Sequence, residues 1–527
     1  MTKSASYTAR TALIVALGGF LMGFDASVIS GVVSFVEVEF QLTKIQLGWA
    51  VASLSLAATF AMLVAGPISD RLGRKPVLQA AALLFAVSAV WSALAGSFVE
   101  LVLARMLGGF GVGAALIIAP MFIAEMAPAQ QRGRLVSFNQ LNIVLGISAA
   151  FMSNYLILQL SQSPAPWAIE LGLQQWPWRW MLMVEAVPAV LYFVGLRLVP
   201  ESPRWLIMRG DLEPALAVLT KTNGADAAPT EMAAIQANIA TEQQEAANQL
   251  PFSSIFSQPM RLVLAIGLSV AVLQQITGIN SVFFYAPMIF EQSGIGTDAA
   301  FMQAVVVGLT NLAFTVVALM CIDRIGRKPL LIIGVSGITC SMLLLAWVFG
   351  SATYVLSAES ISALGSSLNT TALESLREVV FDNDIAFKQA LASQLSPELL
   401  RQHESQLISA AIQMNPMLVL GGIIGFVASF AISLGPVMWV LFSELFPNRL
   451  RAAAISFVGF INSAVSFLVQ LLFPWQLANL GTSTTFLIYG MFAFAGLLII
   501  LRLLPETRGK SLEQIEQDLV PGLAAAK

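Results

Sequence analysis

One histidine and two cysteines occur among 527 residues, and only 11% of positions are charged. Each scarcity excludes something. The lone His403 lies in a polar stretch outside the apolar runs, so no histidine relay crosses a membrane here. Cys321 and Cys340 sit inside apolar runs without metal-ligand or redox spacing, which makes them packing residues. No metal or cofactor is implied. No nucleophile, base and orienter cluster suggests an enzyme, and no basic tract suggests nucleic acid. The net charge of −3 says little about partners, because both signs are dispersed along the chain.

What is abundant is apolar. Hydrophobic residues make up 57% of the chain, the mean hydropathy is +0.80, and soluble domains carry roughly 25% charged residues. This is the composition of an integral membrane protein. A spanning helix needs about 20 predominantly apolar residues, and twelve such runs are present. Six lie near 10–33, 47–68, 76–95, 101–124, 135–158 and 178–199; six more lie near 261–290, 300–322, 329–350, 416–442, 452–474 and 483–504. The first run exceeds a signal-peptide core and contains Asp25, so it is expected to remain as the first helix. With both termini cytoplasmic, 21 of the 27 Lys and Arg fall in or beside cytoplasmic segments, the exceptions being Lys44, Arg105, Arg179, Arg377, Lys388 and Arg401. That asymmetry sets the orientation.

The chain is also duplicated. Asp70-Arg71-Leu72-Gly73-Arg74-Lys75 returns as Asp323-Arg324-Ile325-Gly326-Arg327-Lys328, each between two apolar runs. Such charged strings are costly inside hydrocarbon and read as tight turns at the membrane surface. A second pair is Glu125 with Arg132 and Glu444 with Arg451, seven residues apart in both halves. The expected fold is all-α, with twelve transmembrane helices in two pseudo-symmetric six-helix bundles, 1–200 and 261–510. A cytoplasmic linker with short helices, 201–260, joins them, and 511–527 forms a tail whose SLEQIEQ run reads as a short amphipathic helix. Asp70 and Asp323 are 253 positions apart but Glu125 and Glu444 are 319 apart, so the second half holds 66 extra residues. They fall in the polar segment 351–415, extracytoplasmic in this topology, with helix-compatible pieces such as 371–393.

Ionisable groups deep in membrane helices cost about 2.5–3.5 kcal/mol each, so every one is a candidate functional group. Asp25, preceded by Gly18, Gly19 and Gly23 at spacings that allow close helix approach, has two readings. One is a permanent ion pair holding helices together; the other is a carboxylate that takes and releases a proton. Arg105 is its natural partner. Glu185 is the remaining buried acid, either a structural bond to backbone groups freed near Pro188 or part of the transport chemistry. Neutral amides form a second constellation: Gln274-Gln275-Ile276-Thr277-Gly278-Ile279-Asn280 interrupts the seventh run and predicts a broken helix. Gln140, Asn142, Asn311, Asn462 and Trp439 lie at comparable depth elsewhere. Amides that donate and accept suit a polyhydroxylated solute and an aromatic face covers its C–H side, although interhelical amide bonding is the plainer alternative. Asp70, Arg74, Glu125 and Arg132, with Asp323, Arg327, Glu444 and Arg451, lie at cytoplasmic helix ends as candidate gate pairs. Lys75, Lys328 and Arg134 read as plain surface anchors.

Together DRLGRK and DRIGRK, AEMAPAQQRGR, PESPRWL at 200–206, QQITGINSVFFYAP, GPVMWVLFSELFPNRLRA and PETRGKSLEQIE resemble the sugar porter family of the major facilitator superfamily over nearly the whole chain. The resemblance implies alternating access around a central sugar site contacted by Gln140, Gln274, Gln275, Asn280, Asn311, Trp439 and Asn462. It also places Asp25 and Arg105 at the helix-one acid and helix-four arginine of proton-coupled members. Departures are Ser463 for a common Trp, Ser466 for a common Asn, Ile147 for a Gln, and Met22 for an aromatic, which leave the pocket less polar and the sugar open. The function implied is proton-coupled symport of a monosaccharide or cyclic polyol, by a multi-pass monomer in the plasma membrane, or the inner membrane of a bacterium. A facilitative uniporter with a structural Asp25 is the alternative. A non-transporting sugar receptor is a further class, but such proteins carry a long signalling tail, and here the chain runs only from Pro505 to Lys527.

Overall fold

The computed structural model describes residues 3–128, 131–247, 251–364, 373–447, 450–508, 510, 514–515 and 519. Among them twelve helices are long and apolar enough to span a membrane: α1 Ser6–Gly31, α2 Lys44–Leu72, α3 Arg74–Leu94, α4 Phe98–Met126, α5 Leu135–Ser161, α6 Pro177–Arg197, α7 Gln258–Phe284, α8 Gly296–Ile322, α9 Arg327–Gly350, α10 Pro416–Leu445, α11 Arg451–Asn479 and α12 Thr482–Leu503. They answer the twelve apolar runs in number and order. The shortest has 21 residues, which at about 1.5 Å per residue still clears a hydrocarbon core of about 30 Å. Helix is what such sequences must form there, since hydrocarbon supplies no partner for an open N–H or C=O.

Between α2 and α3, and again between α8 and α9, the chain reverses at one glycine. Gly73 has φ +105° and Gly326 φ +102°, a region that a side chain makes costly. The repeated charged string therefore folds twice into the same turn. On α1, Gly23 lets the helix meet α5 backbone to backbone, because a Cβ there would lie 2.0 Å from the Ile143 carbonyl oxygen.

α7 is interrupted where its amides cluster. An α-helix ends at Ile276, Gly278 takes the left-handed conformation with φ +85°, and a second helix runs Ile279–Phe284. The linker after α6 carries the short helices Pro203–Arg209, Leu212–Asn223 and Ala228–Ala247. Of the tail, 511–513 and 516–518 lie outside the described residues, and with them most of the SLEQIEQ run.

The segment after α9 is more than a polar loop. It forms three short strands, β1 Thr353–Val355, β2 Val380–Phe381 and β3 Ile412–Gln413, in the order β2-β1-β3 with both pairings antiparallel. Helices Asp384–Gln394 and Pro397–Ala411 pack beside them. Tyr354, Leu356, Phe387, Leu391, Leu407 and Ile408 belong to a hydrophobic core of its own. Strands of two and three residues leave no alternation to read in a sequence, which explains why helix pieces alone were expected.

Close packing groups the described chain into two compact units. One comprises 1–27, 53–150 and 179–251; the other comprises 28–52, 151–178 and 252–527. The second unit thus takes in the ends of α1, α2 and α5 that lie opposite the charged turns.

Candidate functional site

In the first unit, α1 and α4 bury an ion pair. Asp25 and Arg105 are each 1% exposed. Arg105 Nη1 donates to Asp25 Oδ1 at 3.2 Å, and Nη2 donates to the Asp25 carbonyl at 3.3 Å. Asp25 Oδ2 and Arg105 Nε have no hydrogen-bond partner among the described residues. Glu185 is buried where α6 breaks between Met183 and Ala186, within Coulomb range of both, and its Oε1 likewise has no partner. Two acids and one guanidinium thus lie buried near one another. A site so arranged can change its charge without unmaking a hydrogen bond, because a proton has a bare oxygen to occupy.

The second unit holds the amide cluster, built around the α7 break. Gln274 Nε2 donates to the Leu434 carbonyl at 3.0 Å, and Gln275 Nε2 donates to Gln274 Oε1 at 3.1 Å and Asn462 Oδ1 at 3.2 Å. Asn462 Nδ2 returns a bond to Gln274 Oε1 at 2.9 Å and reaches the Ala271 carbonyl at 2.8 Å. Asn280 Nδ2 donates to Gln275 Oε1 at 2.9 Å and Ser466 Oγ at 2.7 Å, and Gln470 Nε2 donates to the same hydroxyl at 2.8 Å. Four of the sequence-selected residues, Gln274, Gln275, Asn280 and Asn462, therefore form one network. The described hydrogen bonds do not draw in the other three. Asn311 is buried on α8; Trp439 on α10 is 49% exposed, edge-on to Phe442; Gln140 on α5 is exposed. Ser466 and Gln470 were not selected as site residues, although a Ser and a Gln four apart in an apolar helix share a face and carried that signal.

At the helix ends bearing the charged turns, the two halves repeat one arrangement. Arg74 holds Glu125 with Nε at 3.1 Å and Nη2 at 3.0 Å, and Asp70 with Nη1 at 2.8 Å. Arg327 Nη2 donates to Glu444 at 2.8 Å. Each α-helix beginning there is capped from afar: Glu201 accepts from the backbone N–H of Arg74 and of Lys75, both at 3.1 Å, and Glu506 accepts from those of Arg327 at 3.2 Å and Lys328 at 3.1 Å. Next to each capping acid a hydroxyl meets the other glutamate, Ser202 on Glu125 and Thr507 on Glu444. Lys75 and Lys328 are more than anchors, since their Nζ groups donate to the carbonyls of Arg197 and Leu501 near the ends of α6 and α12. Arg451 Nε donates to the Phe446 carbonyl at 3.1 Å. The side chains of Arg132 and Asp323 lie outside the described residues. The third repeat, Pro-Glu-Ser at 200–202 and Pro-Glu-Thr at 505–507, was legible as a duplication only beside the first.

Twelve spanning helices, a buried ion pair and a polar cluster at a helix break are the parts that a membrane transporter needs. The sequence profile described as "Sugar (and other) transporter" matches residues 11–371 and 401–519. An arabinose-proton symporter of Bacillus subtilis is 33% identical over 501 residues, covering 95% of this chain and 92% of the relative. A D-xylose-proton symporter of Escherichia coli is 33% identical over 545 residues, covering 97% and 96%. An inward-open structure of the E. coli xylose transporter XylE superposes with a TM-score of 0.73 at 30% identity, covering 96% of this chain and 99% of that one. The chain belongs to the sugar transporter family, with the twelve-helix, two-bundle fold of the major facilitator superfamily.

Proposed function

We propose that the chain carries a monosaccharide or cyclic polyol together with a proton, by alternating access. The observation that carries this reading is the Asp25–Arg105 pair, fully buried in membrane helices with a carboxylate oxygen left over. The names of the relatives, which are arabinose-proton and xylose-proton symporters, support it. Asp25 takes the proton; Arg105 then leans on Glu185, and the neutralised site lets its helices move. Coupling requires that the empty deprotonated carrier and the doubly loaded carrier reorient more readily than singly loaded forms. Gln274, Gln275, Asn280 and Asn462 bind sugar hydroxyls, joined by Gln140 and Asn311 as the carrier closes, and Trp439 covers an apolar sugar face. Asp70, Arg74, Glu125 and Arg132, with Asp323, Arg327, Glu444 and Arg451, form the cytoplasmic gate, the bonds within each half fixing the helix ends that close in one state and part in the other.

Residues 1–200 and 261–510 act as the two moving bundles, joined by 201–260. The protein works as a monomer in the plasma membrane, the inner membrane in a bacterium, with both termini cytoplasmic. The distribution of Lys and Arg supports that orientation. The test is uptake by purified protein in vesicles, using a panel of pentoses, hexoses and inositols with an internal pH dye. Symport is expected to show cargo accumulation that collapses with a protonophore and carries protons inward. Uptake that only equilibrates the cargo, indifferent to the protonophore and without proton flux, would replace this reading with a uniporter in which Asp25 is structural.

A further inference from the structure

The inserted segment 351–415 touches more than its own neighbours. On helix Pro397–Ala411, Glu404 lies between two lysines, Lys388 at 3.0 Å and Lys44 at 3.5 Å. Lys44 opens α2 in the N-terminal half of the sequence, and it also holds Glu37 of the helix Val33–Glu39 at 2.5 Å. Three positions before Glu404, Arg401 Nη1 donates to the Gln41 carbonyl at 3.2 Å. The other side of the segment is tied to the C-terminal half. Lys388 Nζ donates to Gln292 at 3.2 Å, and the Asp384 carboxylate accepts from the backbone N–H of Thr482 at 3.0 Å and its hydroxyl at 2.9 Å, where α12 begins. All of these residues belong to the second compact unit.

We propose that the inserted segment is an extracytoplasmic latch, in which Glu404 and Arg401 bind the α1–α2 corner to the α7–α8 connection and the start of α12 and so favour the outward-closed carrier. This rests on the alternating-access reading and its orientation. The segment has its own core, so it presents the two side chains from a firm base rather than a loose loop. The four charged side chains, Glu37, Lys44, Lys388 and Glu404, are 12 to 24% exposed, enough burial for their attraction to outlast moderate salt. Burial would raise the Glu404 carboxyl, but Lys44 and Lys388 outweigh it and hold it down at about 2. The latch therefore stays charged in the acidic medium that supplies the proton, leaving pH to act through the buried pair. Nearby Glu291, which accepts from Ser34 Oγ at 3.4 Å, is pushed up to about 7 by burial and is not one of the latch bonds.

The test is electron-electron distance measurement on the full-length protein, spin-labelled at Thr43 and Ala299, beside the outer ends of α2 and α8. Wild type is expected to show a short and a long distance whose balance shifts with pH or sugar. Glu404→Gln is expected to raise the long population about fivefold relative to the short, the ratio for a partly exposed ion pair of about 1 kcal/mol. Lys44→Gln should give a similar rise, the double variant less than the product of the two, and Glu398→Gln on the same helix no change. Two populations in wild type with neither Glu404→Gln nor Lys44→Gln moving them would overturn the latch alone. A single distance under every condition would overturn alternating access as well. If Glu404→Gln fails to fold, Lys44→Gln and Arg401→Gln carry the same decision.

Discussion

Gly108 on α4 is where the structure makes its sharpest quantitative demand. A Cβ built there would lie 2.6 Å from Asp25 Oδ2 and 2.6 Å from Ser88 Oγ, well inside the 3.4 Å at which ordinary contact begins. The serine is itself held, donating to the Ala104 carbonyl at 2.8 Å. In Gly108→Ala the side chain that yields is therefore the carboxylate, which must turn against Arg105. Overpacking costs about 1–3 kcal/mol and the gain in helix propensity returns about 1 kcal/mol, so the expected net loss of stability is about 0–2 kcal/mol. The loss of coupling should be far larger. One proton moved through about 100 mV supplies about 2.3 kcal/mol, which sustains roughly 50-fold accumulation of cargo at about 1.4 kcal/mol per tenfold. Vesicles with an imposed potassium diffusion potential read that ratio directly. Gly108→Ala is expected to fall toward unity while sugar exchange at equal pH persists. Gly421→Ala on α10, where nothing lies within 4 Å of the added carbon, should accumulate like wild type and be as stable or more so. If Gly108→Ala accumulates as wild type does and melts no lower than Gly421→Ala, the packing argument around the Asp25 carboxylate is wrong.

Asp25→Asn, which holds position 25 in its neutral form, should abolish concentrative uptake but keep exchange; retained accumulation refutes it. Gly278→Ala combines φ +85° with a Cβ 2.5 Å from the Tyr489 ring, so sugar affinity measured by calorimetry should drop at least tenfold, and unchanged affinity would mean the α7 break does not shape the pocket. Glu201→Gln and Glu506→Gln should each cost about 1 kcal/mol of stability through a weakened helix cap, equal effects being the mark of the repeat and a silent Glu506 variant counting against it. Because the Glu404 carboxyl is lowered from 4.5 to about 2, its contribution is complete above pH 4.5 and is lost as pH falls toward 2; amide exchange of Pro397–Ala411, corrected for intrinsic rate, should be flat from pH 5 to 8, and loss of protection in that window would contradict the assignment.

Much of the fold was legible because hydrocarbon leaves a sequence little choice. An apolar run of about 20 residues has one stable form there, and so all twelve spans could be read off directly. The α7 break was legible for the opposite reason, as three amides and a glycine are anomalous inside such a run. The Asp25–Arg105 contact followed from scarcity, with few buried charges available to pair. What escaped was long-range and polar. The capping acids Glu201 and Glu506 look in sequence like ordinary helix exits, since nothing local says that the N–H groups they satisfy are 127 and 179 positions away. Ser466 reads as a substitution for something larger until Asn280 and Gln470 are seen to converge on its hydroxyl. The exposure of Trp439 and Gln140 is likewise a matter of which helix face meets which neighbour, and side-chain type does not encode it.

The inserted module enters and leaves through paired strands. Thr353 sits opposite Gln413 and Tyr354 opposite Ile412, so the two ends of the insertion stand one strand spacing apart, about 5 Å. Excision across that seam would leave α9 and α10 joinable by a hairpin of a few residues.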